Sequence, residues 1–150
     1  MYEIKGANAE NFPEIMEVWE SSVNATHHFL SDKDKNFYRN LIEKEYLKQL
    51  DIHMYVTGGI CQGFMGILGE SLEMLFVAGD HRRQGIGSTL LNFAVARFTI
   101  NKVDVNEENM GAFNFYTRFG FIQVGRSDKD GTGKPYPIIH MKLGAEASGC

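Results

Sequence analysis

Met74-Leu75-Phe76-Val77-Ala78-Gly79-Asp80-His81-Arg82-Arg83-Gln84-Gly85-Ile86-Gly87-Ser88-Thr89-Leu90-Leu91-Asn92-Phe93-Ala94-Val95-Ala96-Arg97 is the segment that decides the fold of this chain. Its first five residues are an apolar run with the length of a buried strand, and from Ile86 onward the pattern is helical. Between them lies Arg82-Arg83-Gln84-Gly85-Ile86-Gly87-Ser88. A glycine-bearing turn between strand and helix leaves several backbone N–H groups unpaired at the positive end of the helix dipole. That is a seat for a phosphate or pyrophosphate. Gly85 and Gly87 let the backbone approach the anion closely, and Arg82 and Arg83 add positive charge.

Three known arrangements combine a strand, a glycine turn and a helix. A Walker A loop needs Gly-Lys-Ser/Thr, and Gly87-Ser88-Thr89 has no lysine. A dinucleotide fingerprint needs a third glycine where Leu90 stands, although Asp104 and Glu107 lie near the distance its acidic residue requires. The third arrangement fits: Arg82-x-x-Gly85-x-Gly87 resembles the Gln/Arg-x-x-Gly-x-Gly/Ala pyrophosphate loop of the GNAT N-acetyltransferase superfamily. Alone that pattern is weak. A more specific match follows at Asn109-x-x-Ala112-x-x-Phe115-Tyr116-x-x-x-Gly120-Phe121, which resembles the family's motif after its fifth strand. In a helix, 109, 112 and 116 share one face, Gly120 caps the C-terminus and Phe121 opens the next strand. The resemblance covers roughly residues 2 to 143. Within the family, Ala25-Thr26-His27, Val105-Asn106-Glu107-x-Asn109, Gly125-Arg126-Ser127 and Gly133-Lys134-Pro135-Tyr136-Pro137 look like small bacterial YjaB-type members. Gly79 departs from the proline or acid common there, which implies a looser turn.

The rest of the chain agrees with one compact domain over residues 1–143. Its 150 residues suffice for a proper core, and 43% hydrophobic with 23% charged residues is ordinary for a globular protein. A net charge of −4 gives no general attraction to nucleic acid or anionic membrane. No apolar run approaches the roughly 20 residues of a membrane span, and no signal peptide is visible. Cys61 lies in a strand-like run and Cys150 is the last residue, so a structural disulfide is not expected and a cytoplasmic location is. Residues 144–150 read as a disordered extension. Periodicity and turn signals predict strands at 2–5, 52–57, 60–68, 72–77, 102–106, 121–127 and 136–143. Helices are expected after caps at Asn8 and Ser31 and over 86–98 and 109–119. The order βααβββαβαββ is an α/β mixed sheet with helices on both faces, which is the GNAT layout.

The resemblance implies acetyl-CoA as cofactor, held by the loop residues Arg82, Arg83, Gln84, Gly85, Ile86, Gly87 and Ser88. Leu75, Phe76 and Val77 on the strand, and Asn109, Ala112 and Tyr116 on the later helix, would line it too. Direct acetyl transfer to an amine needs a base, a polarised carbonyl, an acid for the departing thiolate and both substrates in line. Tyr116 stands where the family places the acid, and Glu73 stands at the offset of the glutamate base in histone-type members. Glu107, or water bridging to either carboxylate, is the alternative base. Thr26, His27, His28, Phe29 and Tyr136 would form the acceptor pocket for a small-molecule or peptide amine. The histidines show no metal-ligand spacing, so no metal is expected. No nucleic acid or membrane partner is implied, and the chain is expected to be a monomer or homodimer. The alternative function is a non-catalytic acyl-CoA sensor, which would have no need of Tyr116 or Glu73.

Overall fold

The computed structural model describes residues 1–81 and 84–144. Arg82 and Arg83, and residues 145–150 of the tail, therefore lie outside the described residues. The strands are β1 Tyr2–Gly6, β2 Asp51–Thr57, β3 Ile60–Leu68, β4 Ser71–Val77, β5 Lys102–Asn106, β6 Phe121–Ser127 and β7 Ile138–Leu143. The helices are α1 Phe12–Thr26, α2 Asp32–Leu41, α3 Leu47–Gln49, α4 Ile86–Phe98 and α5 Met110–Phe119. Each expected element is present. One expectation of detail is corrected: the second helical segment is not uniform. A π turn, Ile42–Tyr46, joins α2 to α3, with the Leu47 N–H bonded to the Ile42 carbonyl. A single wide turn hardly disturbs the spacing of apolar residues, so periodicity does not reveal it.

The strands form one sheet in the order β1-β2-β3-β4-β5-β7-β6. Strand alternation gives it two apolar faces. On one, Leu90, Leu91 and Ala94 of α4 and Tyr116 of α5 pack with Met65, Val103, Val105 and Phe121. On the other, Ile15, Met16, Trp19 and Val23 of α1 pack with Met54, Val56, Phe64 and Met74. Gly63 allows the start of α4 to approach the sheet: a Cβ there would lie 2.9 Å from Ile86 Cγ2 and 3.2 Å from the Phe76 carbonyl oxygen.

Every neighbouring pair of strands is antiparallel except β4 and β5, which run parallel and pair only at Ser71↔Lys102 and Leu72↔Val103. Beyond that point the two strands fork. β4 continues on β3 as far as Val77↔Gly63, and β5 continues on β7 as far as Asn106↔Ile138. The edges facing into the fork therefore carry unpaired backbone groups, which a ligand or water must satisfy. The turn after β4 is not loose, as its glycine suggested. The Gly79 N–H donates to Ser21 Oγ at 2.8 Å, and a Cβ would lie 3.1 Å from Ala25 Cβ. Glycine is what allows α1 to clamp this turn.

Candidate active site

The fork opens into a cleft of about 570 Å³. One end is the N-terminus of α4, where Gly85 takes the left-handed conformation at φ 82° that glycine adopts without strain. The Thr89 N–H closes the first turn on the Gly85 carbonyl at 3.0 Å, so the N–H groups of Ile86, Gly87 and Ser88 precede that bond. Gly87 keeps the floor of this turn open: a Cβ would sit 3.6 Å from the Phe115 ring. Gly85, Ile86, Gly87 and Ser88 all line the cleft, as do Leu75, Phe76 and Val77 on β4 and Asn109, Ala112 and Tyr116 on the far wall. Asn109 caps α5, its Oδ1 accepting the Ala112 N–H at 3.1 Å. That bond occupies the oxygen and leaves the amide N–H₂ of Asn109 for a second partner. Tyr116 is 7% exposed, and burial holds its phenol above the usual range. It therefore keeps its proton across the working range of pH. Its hydroxyl bonds to no other group among the described residues.

A second cavity, of about 470 Å³, lies on the α1 and α2 side of the sheet. His27, Glu73, Met74, Phe76, Asp104 and Asn106 line both cavities, so the two meet at the fork. Trp19, Val23, Leu30, Ile42 and Leu50 give the second cavity apolar walls, and Glu73, Asp104 and Asp130 give it acidic ones. His27 at the junction is neutral: burial, and secondarily the neighbouring His28, lower its pKa to about 4. Its tautomer follows from counting hydrogens. Thr26 Oγ1 spends its one proton on the Ser22 carbonyl at 2.7 Å, so at 2.6 Å from His27 Nδ1 it must accept. Nδ1 carries the hydrogen, and Nε2 is left as an acceptor.

The loop between β6 and β7 closes this cavity by reciprocal bonds to α2. The Tyr38 hydroxyl donates to Asp130, and the Tyr136 hydroxyl donates to Asp34. Lys134 lies 3.1 Å from Asp34 and 4.6 Å from the Phe37 ring centroid. Burial alone would raise the Asp130 pKa, but hydrogen bonds from Thr132 and Tyr38 outweigh it and hold the carboxyl low.

Several expected residues stand elsewhere. His28 is exposed, its Nε2 3.1 Å from the Ala25 carbonyl, and lines neither cavity. Phe29 and Tyr136 also line neither cavity: they stack behind the wall, with Phe29 5.2 Å from the His27 ring and 6.2 Å from Tyr136. Gln84 is exposed and lines neither. Glu107, the alternative base, lines neither cavity. Arg126 binds both its oxygens, at 2.5 and 3.1 Å, and holds its carboxyl below the usual range. His27 lines both cavities, whereas Thr26, expected beside the acceptor, lines only the first cleft; Glu73 lies at the fork, accepting from the Ser71 hydroxyl at 2.6 Å. Sequence reasoning missed Asp104, Asn106 and His81. The alternation of polar and apolar residues over 102–106 was the available signal for the first two. Cys61 is buried and its thiol is pushed up to about 11 by burial, so it is not a nucleophile. Among the described residues no three His, Cys, Asp or Glu side chains converge to hold a metal ion, and no helix is long and apolar enough to cross a membrane.

Comparison with known proteins places this geometry. Residues 17–143 match the model of the acetyltransferase (GNAT) domain. The chain is 36% identical over 145 residues to the peptidyl-lysine N-acetyltransferase YjaB of Salmonella typhimurium, spanning 94% of this chain and 97% of that protein. It is 32% identical to YjaB of Escherichia coli K12, over 92% of this chain and 94% of that one. The solution structure of apo YjaB from Escherichia coli superposes with a TM-score of 0.87 at 31% identity, covering 95% and 97% of the two chains. PaiA N-acetyltransferase from Thermoplasma acidophilum, solved with coenzyme A, shares the fold, with a TM-score of 0.75 at 20% identity over 95% of this chain and 99% of that one.

Proposed function

Since the chain belongs to the GNAT family and is an acetyl-CoA-dependent acetyltransferase, we propose that it acetylates a primary amine, the side chain of a peptide lysine, by direct attack in a ternary complex. The observation that carries this reading is the junction of the two cavities at the β4–β5 fork. Acetyl-CoA supplies the activated acetyl group when bound, and the cleft suits it: an open glycine turn under a helix N-terminus, then a run of unpaired strand edges. In this reading the N–H groups of Ile86, Gly87 and Ser88, with Arg82 and Arg83, hold the pyrophosphate. Leu75, Phe76, Val77 and Ala112 line the arm, and the Asn109 amide donates to it. With the cofactor bound, the buried Tyr116 hydroxyl would supply the proton that the departing thiolate needs.

The second cavity takes the acceptor. Its apolar walls suit a four-carbon stem, and its carboxylates suit an ammonium group. Glu73 takes the proton that the ammonium must lose, with the neutral His27 Nε2 accepting a second N–H. Thr26 fixes the His27 tautomer, while Phe29 and Tyr136 support the wall from behind. YjaB is named for peptidyl lysine, which favours a peptide over a free polyamine. A cofactor sensor would have no use for the acceptor cavity. The test is acetyl-CoA turnover over lysine peptides, free amino acids, polyamines and aminoglycosides. Lysine peptides are expected to be the best substrates; equal or better turnover of a small amine would overturn the substrate class.

A further inference from the structure

β5 leaves β4 after Val103, so Asp104 is the first residue past the fork on its strand, as Glu73 is on β4. Strand alternation puts both on the face opposite Leu72 and Val103, and both line both cavities. Their supports differ. Glu73 accepts from Ser71, two residues away on its own strand. Asp104 is held by a row of side chains running across the sheet. Its Oδ1 is 2.7 Å from Nδ1 of His140, the residue paired with it on β7, and His140 Nε2 is 2.7 Å from Ser127 Oγ on β6. The row serves either charge state of the ring. With a neutral ring, Nδ1–H donates to the ionised Asp104 and Nε2 accepts from the Ser127 hydroxyl. With a protonated ring, Nε2–H donates and the hydroxyl oxygen accepts. No bond is lost between the two states; only the charge beside Asp104 changes.

We propose that Asp104 is a second carboxylate for the acceptor amine and that His140 is the positioning residue that sets its orientation and effective charge. This rests on the acceptor cavity proposed above. The step is a proton transfer alone: once Glu73 has taken the first proton of the ammonium, a second N–H bond of the amine breaks as it is acylated, an O–H bond forms on Asp104 Oδ2, and the proton leaves to water from a side chain that is 59% exposed. When the ring is neutral, Asp104 attracts the ammonium with its full charge. When the ring is protonated, the imidazolium cancels most of that attraction and makes Asp104 a weaker base. By alternation, the other charged groups on this face of β5 and β7 are Lys102 and Lys142, which pair with each other, and Glu73 stands across the fork. β6 places Gly125 opposite His140 and contributes no charge at that register.

The test uses the full chain with acetyl-CoA and the best lysine peptide. Asp104→Asn is expected to lower kcat/KM for the peptide about 10- to 100-fold, with KM for acetyl-CoA unchanged within about twofold. Asp104→Glu is expected to recover part of the loss. His140→Asn is expected to cost less, and the ratio of wild-type to variant kcat/KM should fall toward acid pH, because only the wild type can place a positive charge beside Asp104. A merely structural role gives a ratio that does not vary with pH. If His140→Asn does not fold, the ratio of wild type to Asp104→Asn reads the same dependence, since an amide has no charge to neutralise. A flat ratio, or an Asp104→Asn enzyme within twofold of wild type, overturns the inference and leaves the acetyltransferase reading intact. A wild type that acetylates no amine overturns both.

Discussion

The two cavities that meet at the fork are built from different materials. The donor cleft is mostly backbone: a helix N-terminus, a glycine at φ 82°, and two strand edges that stop pairing after Leu72 and Val103. The acceptor cavity is mostly side chains drawn from α1, α2, the π turn, both forked strands and the loop after β6. It is closed by hydroxyl–carboxylate bonds that link residues 92 and 102 positions apart. A site made of backbone demands particular residues at fixed spacing, because only glycine fits some of its positions. A site made of side chains can be assembled from many combinations, so its specificity can change while the donor machinery stays as it is.

Substitutions separate the two regions, starting with the donor-wall residue proposed as the acid. Tyr116→Phe keeps the ring and removes the proton. General-acid assistance is worth about 10²–10⁴-fold, so kcat is expected to fall by roughly that factor with acetyl-CoA affinity nearly unchanged. Equal rates in steady-state assays would reduce Tyr116 to a core aromatic. Gly87→Leu acts on the donor side alone. The side chain would occupy the space beside Phe115 and Val77, so acetyl-CoA affinity by calorimetry should weaken roughly 100-fold, the loss of two or three charge-assisted hydrogen bonds. Apo stability should change little. An unaltered affinity would move the pyrophosphate elsewhere.

The double substitution Tyr38→Phe with Tyr136→Phe acts on the acceptor side alone. Each removes a donor to a carboxylate, and the pair should raise the peptide KM about 3- to 10-fold while KM for acetyl-CoA stays constant. A matching rise in both KM values would mean that the two cavities are not independent.

Why the donor half was readable and the acceptor half less so follows from the same contrast. Gly85, Asn109 and Gly120 announce themselves because a cap or a positive φ restricts what can stand there, and Gly87 by its spacing from Gly85. Periodicity located the strands and helices because burial on one face imposes it. Nothing in Ser71–Val77 or Lys102–Asn106 says that the two strands pair for only two positions, since forking is decided by their neighbours β3 and β7. His28, Phe29 and Tyr136 were near the acceptor cavity in sequence, but nearness does not fix direction. His28 turns to the Ala25 carbonyl, and Tyr136 spends its hydroxyl on Asp34. Asp104 was weighed only as the acidic residue of a dinucleotide fingerprint, because its partners, His140 and Ser127, come from strands that follow it in sequence and meet it only in the sheet.

The smallest expected effect belongs to the junction itself. His27 has a folded-state pKa of about 4, below the 6.5 of an exposed histidine. The unfolded chain therefore binds more protons between those values, and stability is lost as pH falls from about 6.5 to 4, with no further loss from this group below that. The shift sets a ceiling of about 3 kcal/mol, and partial solvation of the ring brings the expectation to about 1–2 kcal/mol. Thermal melts of wild type and His27→Gln across that window should converge toward low pH. Parallel curves would show that the ring is solvated and does not form part of the junction wall.

The central claim is that the amine in one cavity attacks the acetyl group in the other without an acetylated enzyme between them. Initial rates measured over a grid of acetyl-CoA and lysine-peptide concentrations test it most directly. The junction geometry and the buried, inert Cys61 predict double-reciprocal lines that intersect. Parallel lines, with radiolabelled acetyl remaining on the denatured protein when peptide is withheld, would contradict it.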